Sequence, residues 1–165
     1  MKVLQTIKKI EGNKKFKEWM NKYPGSYLSY AFCIIEGKTV GEWQIGYYNK
    51  ETDKITTFMI NEELTICPEE EVFKKNDMKV RRINLNKIKI NLDDILIKVD
   101  ELAKKKYTQE MITKKIVILQ NLDEMGNIWN ITNITKSFNT LNIKVNTENG
   151  KILSHDLTSI FSFRK

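Results

Sequence analysis

One histidine, two cysteines and three carboxylate clusters are the side chains of this 165-residue sequence best suited to catalysis or metal binding. His155 stands between Ser154 and Asp156, but neighbours along an extended chain point to opposite faces, so the three do not converge as nucleophile, base and orienting acid. No Gly-x-Ser-x-Gly elbow accompanies the serine. His155 therefore reads as a surface or edge-strand residue. A structural zinc site takes about four Cys or His ligands, which one histidine with the distant Cys33 and Cys67 does not supply. Glu62-Glu63 and Glu69-Glu70-Glu71 look like solvated loop charge, and Asp93-Asp94 suits the first turn of a helix. Glycosidase chemistry needs two carboxyls about 5 to 9.5 Å apart across a cleft, a separation that sequence leaves open. Dinucleotide, P-loop and EF-hand patterns do not occur. The expectation is a non-enzyme with no catalytic residue, no cofactor and no metal.

Aromatic residues form the other candidate site. Tyr27, Tyr30, Trp43, Tyr47, Tyr48 and Phe58 crowd one stretch. Strand alternation puts Trp43, Ile45 and Tyr47 on one face and Glu42, Gln44, Gly46 and Tyr48 on the other, and one of these faces is core. If helices cover that face, Tyr30 and Tyr48 remain to line a partner-binding surface, where tyrosine offers large area at low entropy cost. Tyr30, Trp43 and Tyr48 are the candidate binding residues, with ordinary core packing as the competing reading.

The net charge is +7, and 25 of the 28 cations are lysines. Readers of bases favour the flat, bidentate guanidinium, so this basicity suits a solvated surface better than specific recognition. Seven of the lysines fall between Lys2 and Lys22, which keeps a nucleic-acid partner as the alternative. Cys33 lies in the apolar run Ala31-Phe32-Cys33-Ile34-Ile35 and reads as a buried reduced thiol. No window approaches the apolar length of a membrane span, and residues 1–9 lack a signal-peptide core, so cytoplasmic residence is the expectation.

The elements that must position these residues follow from periodicity. Val3, Leu4, Ile7 and Ile10, then Phe16, Trp19, Met20 and Tyr23, predict two short helices or one bent helix, ended by Pro24-Gly25. Strands are predicted at 26–36, 40–48 and 55–60, forming an antiparallel meander. Residues 74–90 read as an irregular linker. Leu92, Ile95, Leu96, Val99, Leu102 and Ala103 make a helical stripe with Asn91 as N-cap, Asp93-Asp94 in its first turn and Lys104-Lys105-Lys106 in its last. Strands follow at about 113–121, 128–135, 141–146 and 151–154. Both halves thus run helix then meander, and the turn text Tyr48 to Ile55 matches Val145 to Ile152. The fold class is α+β, with two tandem helix-plus-meander units at 1–73 and 91–165.

The second unit carries Trp129-Asn130-Ile131-Thr132 and then Leu141-Asn142-Ile143-Lys144-Val145-Asn146-Thr147-Glu148-Asn149-Gly150-Lys151-Ile152-Leu153. It resembles the PepSY family, marked by a Trp-bearing strand, a strand ending in a Val-Asp-Ala-x-Thr-Gly-like turn, and a return strand. The resemblance covers about Leu92 to Leu157, with a fainter copy in the first half. Asn146 stands where the family has Asp, and Asn149-Gly150 where it has Thr-Gly. The resemblance implies a small non-catalytic module that binds a protein or peptide and, in some settings, restrains a peptidase. Exposed strand edges in such meanders make a homodimer a candidate assembly.

Overall fold

The computed structural model describes residues 2–72 and 79–163. It is α+β, with three helices beside one large antiparallel sheet. Helix α1 spans Val3–Gly12 and α2 spans Lys14–Lys22. Asn13 separates them: its backbone is extended and its side chain accepts from the Lys15 amide at 2.9 Å, which starts the second helix afresh. The third helix, α3, occupies Leu92–Lys106, with its acidic first turn and basic last turn matching the helix dipole.

Strands β1 (Tyr27–Glu36), β2 (Thr39–Val40), β3 (Gln44–Asn49), β4 (Lys54–Ile60), β5 (Leu64–Ile66) and β6 (Glu70–Glu71) fill the first half. The second half contains β7 (Ile112–Leu122), β8 (Gly126–Thr135), β9 (Asn139–Asn146) and β10 (Ile152–Ser159). The sheet order is β10-β9-β8-β7-β1-β3-β4-β5, with β2 beside β1 and β6 beside β4. Each half is therefore helix then meander, and the first long strands of the two meanders, β1 and β7, pair antiparallel about Cys33 and Val117. From that shared seam the two meanders run outward in opposite directions, within a single sheet.

One face of the sheet is closed by the helices. Ile7 and Ile10 from α1, Phe16 from α2, and Ile95 and Val99 from α3 are buried against Ala31, Cys33, Ile45, Val117, Leu119 and Ile131. Fully burying each such aliphatic side chain contributes about 1.5–3 kcal/mol. Aromatic packing concentrates under α2, where Phe16 meets Tyr47 at 4.8 Å and Phe58 at 5.0 Å between ring centres.

The matching turn texts share a geometry but not a place in the topology. Asn49 accepts from the amides of Glu51 and Thr52, and Asn146 accepts from those of Glu148 and Asn149. Asp53 and Gly150, which align, both take positive φ. Yet the first turn joins β3 to β4, the second and third strands of its meander, whereas the second joins β9 to β10, the third and fourth. Asn side chains that bond the backbone two residues on suit any tight turn.

Three departures from the expected boundaries matter. The short strands β5 and β6 extend the first meander. Strand β10 continues past Ser154 to Ser159, carrying His155 along the sheet edge. The predicted strand at 40–48 is interrupted, with β2 and β3 both pairing β1 and Gly41 bridging them through its amide to the Ile34 carbonyl at 2.8 Å.

Residues 74–78 of the predicted linker lie outside the described residues. The remainder, 79–90, is firmly held and, unlike the irregular stretch expected, contains a 3₁₀ turn at Leu85–Lys87. Ile83 is buried and donates to the Leu28 carbonyl at 2.9 Å, Asn127 donates to the Asn84 carbonyl at 2.6 Å, and Thr147 donates to the Lys87 carbonyl at 2.8 Å. These bonds explain why Asn127 and Thr147, polar side chains, are buried. The strap passes round the end of the sheet from one face to the other.

Candidate binding groove on the open face

The described residues cover the sheet face away from the helices only in part. Strand β1 has a bulge between Leu28 and Tyr30. Such a shift by one residue re-aims the side chains, so Tyr27 lies beside Tyr48 while Tyr30, Phe32 and Ile34 alternate onto the same face further along. Tyr30 lies across Gly46 opposite it: a Cβ added there would fall 2.0 Å from the tyrosine ring. Gly46 leaves the ring free to reach one strand further, where the Tyr30 hydroxyl and Thr57 Oγ1 share a hydrogen bond of 2.7 Å. Burial raises the Tyr30 phenol above its ordinary value; the Thr57 bond opposes that, and the Glu70 carboxylate and Cys67 add to it. Tyr30 is therefore a neutral phenol at physiological pH.

Beside this ring the face opens into a groove of about 690 Å³. Its floor includes Tyr30, Phe32, Gln44, Ile118, Gln120 and Leu122. One wall is Glu70-Glu71-Val72 and the other Lys79-Val80-Arg81. The basic wall is fixed by Tyr27, whose hydroxyl donates to the Val80 carbonyl at 2.8 Å, and by an Arg81–Asp123 ion pair. Arg82 stacks over the Tyr27 ring, 5.1 Å from its centre, and its carbonyl accepts from Asn121 at 2.7 Å. The groove thus combines an apolar floor, two amide side chains that both donate and accept, and walls of opposite charge.

The three sequence candidates divide between the two faces. Tyr30 lines the groove. Tyr48 shares that face but is 6% exposed, packed on Tyr27 at 5.5 Å and donating to Asp53 at 2.6 Å. Trp43 is 5% exposed on the helix side, 6.4 Å from Trp129 between ring centres. The floor residues Phe32, Ile118 and Gln120 and the strap were not anticipated. A signal for the first two existed: Ala31 to Ile35 and Ile116 to Leu119 are apolar at consecutive positions, and an unbroken apolar run belongs to a strand covered on both faces.

The remaining chemistry stays dispersed. His155 lies on the edge strand β10 with its Nδ1 2.6 Å from the Tyr107 hydroxyl. Among the described residues, no three His, Cys, Asp or Glu side chains gather as a metal site. Cys33 is a buried free thiol, pushed up to about 12 by burial, and Cys67 is a half-buried free thiol. None of the described helices is long and apolar enough to cross a membrane.

No family model matches the sequence, and no curated protein matches it. In fold it is similar to the crystal structure of a putative lipoprotein from Clostridium difficile 630. That likeness covers 87% of this chain and 90% of the other, with a TM-score of 0.54 and 13% sequence identity. At that identity the likeness concerns the fold alone: a helix-backed antiparallel sheet of this size occurs in a second, very different sequence.

Proposed function

We propose that this chain is a non-catalytic, PepSY-like binding module that holds an extended segment of a protein or peptide partner in its open-face groove. The observation that carries this reading is the groove itself, with apolar side chains and two glutamines between an acidic and a basic wall. An extended peptide offers alternating side chains to the floor, amide groups to Gln44 and Gln120, and charges of either sign to the walls. A peptidase is the partner class to which the PepSY resemblance points.

The test is selection of heptapeptides displayed on phage against the full chain, followed by affinity measurement. Selected peptides should combine apolar and charged positions, and Ile118→Asp should weaken them at least about tenfold by charging the floor. Equal binding to Ile118→Asp would overturn the reading. A second reading, nucleic-acid binding, draws on the exposure of all seven lysines of residues 2–22. It requires oligonucleotide affinity that falls steeply with salt.

A further inference from the structure

The two opening helices differ from the third in what they show to solvent. Residues 2–22 hold seven lysines against only Glu11 and Glu18, so α1 and α2 carry most of the net charge of +7. Helix α3 balances its charges, four acids against four lysines. All seven lysines of the opening helices are exposed. On α2 the helical period sets Phe16, Trp19 and Met20 against the core and Lys14, Lys17 and Lys22 away from it. On α1, Val3, Ile7 and Ile10 are buried and Lys8 lies opposite them.

The two glutamates offset little of this charge. Glu11 accepts from the Tyr47 hydroxyl at 2.8 Å, and Glu18 stands 3.8 Å from Lys14 in an exposed pair of small worth. Lys8 and Lys17 have no acidic partner among the described residues. Like charges crowded on one surface repel one another, a cost that an external anion relieves. The helix side also keeps a cavity of about 490 Å³ over Trp43 and Trp129, bordered by the starts of α1 and α3, but of the seven lysines only Lys2 lines it.

The patch suits a broad anionic surface better than a nucleic acid. Each helix is buried along one side on the sheet, so neither projects as a helix that enters a DNA groove does. Bases need an open aromatic face to stack on, yet Trp19 is already engaged by Phe58 at 4.8 Å, Tyr23 at 5.5 Å and Phe16 at 5.8 Å between ring centres. Every cation of the patch is lysine, a compact point charge without the fork that clamps a single phosphate. Clusters of about four to eight such charges are what acidic lipid headgroups attract.

We infer that the α1–α2 surface docks electrostatically on a bilayer rich in acidic lipids. It does so without insertion, since the core takes the apolar side of both helices. The opposite face of the sheet, with its groove, is turned away from the lipid and stays open to a partner. The inference does not depend on what the groove holds.

The test is flotation of the full chain with vesicles of phosphatidylcholine alone or with about 30% phosphatidylglycerol. Saturable binding to the acidic vesicles is expected, weakened at least about tenfold between about 0.05 and 0.5 M salt, with none to phosphatidylcholine. Lys8→Glu combined with Lys17→Glu should weaken it at least about tenfold. Lys136→Glu combined with Lys151→Glu makes the same charge change at exposed positions flanking β9, and should leave it within about twofold, with both variants folded by circular dichroism. Absence of binding to acidic vesicles at low salt would overturn the proposal, as would equal losses in the two paired variants. Tighter binding to a single-stranded or duplex oligonucleotide than to the vesicles would overturn it in favour of nucleic acid.

Discussion

The two faces of the sheet hold comparable cavities built in opposite ways. On the helix side, alternation and helical stripes bury aliphatic and indole side chains completely, and the space that remains lies between helix starts. On the open side none of the described helices packs; half-buried Phe32, Ile118 and Gln120 are sheltered by a short strand and a strap with opposite charges. The difference teaches that a strand can be apolar on both faces for two reasons: one face makes the core and the other makes a site.

The largest effect should separate the faces by stability. Trp129→Ala removes a fully buried ring and should cost about 3–5 kcal/mol, whereas Phe32→Ala on the open face should cost less than half of that. Urea unfolding of the two variants checks it, and equal losses would mean that the open face is as much core as the other.

Alkaline pH should act most strongly through the helix side, with Tyr30 on the open face, also raised by burial, adding to the effect. Cys33 is raised from 9.0 to about 12 by burial. Tyr47 is raised as well, by burial first and then by the Glu11 carboxylate that accepts its hydroxyl. Both groups keep their protons in the folded chain where the unfolded chain releases them. Their stabilising contribution is therefore full below the unfolded values and is lost as pH rises through them. From pH 9 toward 12, Cys33 alone should lower stability by about 1.4 kcal/mol per pH step, with Tyr47 adding to the loss above about pH 10. Urea midpoints measured between pH 7 and about 11 give the slope; a flat profile would contradict the burial of these groups.

The strap ties the two cavities together, since residues 79–81 wall one and Ile88, Ile90 and Asn91 line the other. Thr147→Val removes the donor to the Lys87 carbonyl and should cost about 1–3 kcal/mol. Hydrogen exchange should then rise at Lys89 and Ile90, whose amides donate to the Thr147 carbonyl. The smallest effect concerns the thiols: Ellman's reagent should modify Cys67 in the native chain and Cys33 only after unfolding.

Much of the helix side was legible in the sequence. The stripe Leu92 to Ala103 carries its own start and stop signals, and Trp43, Ile45 and Tyr47 alternate into the core as their spacing requires. The placement of Tyr48 on the other face followed from the same alternation. Three features were not legible. The β1–β7 pairing that merges two meanders into one sheet is a long-range choice between equally apolar strands. The strap depends on single buried polar side chains, Asn127 and Thr147, which in sequence look like turn residues. The bulge at Ser29 shifts the face on which Tyr27 lies, and no residue type announces it.

The most direct test of the open-face account is methyl NMR of the full chain with a selected heptapeptide added. If the groove holds the peptide, the Ile118 and Leu122 methyl signals move saturably while those of Ile7 and Ile95, on the buried sides of α1 and α3, stay in place. Movement confined to the lysine-bearing surface of α1 and α2, with the groove signals unchanged, would contradict it.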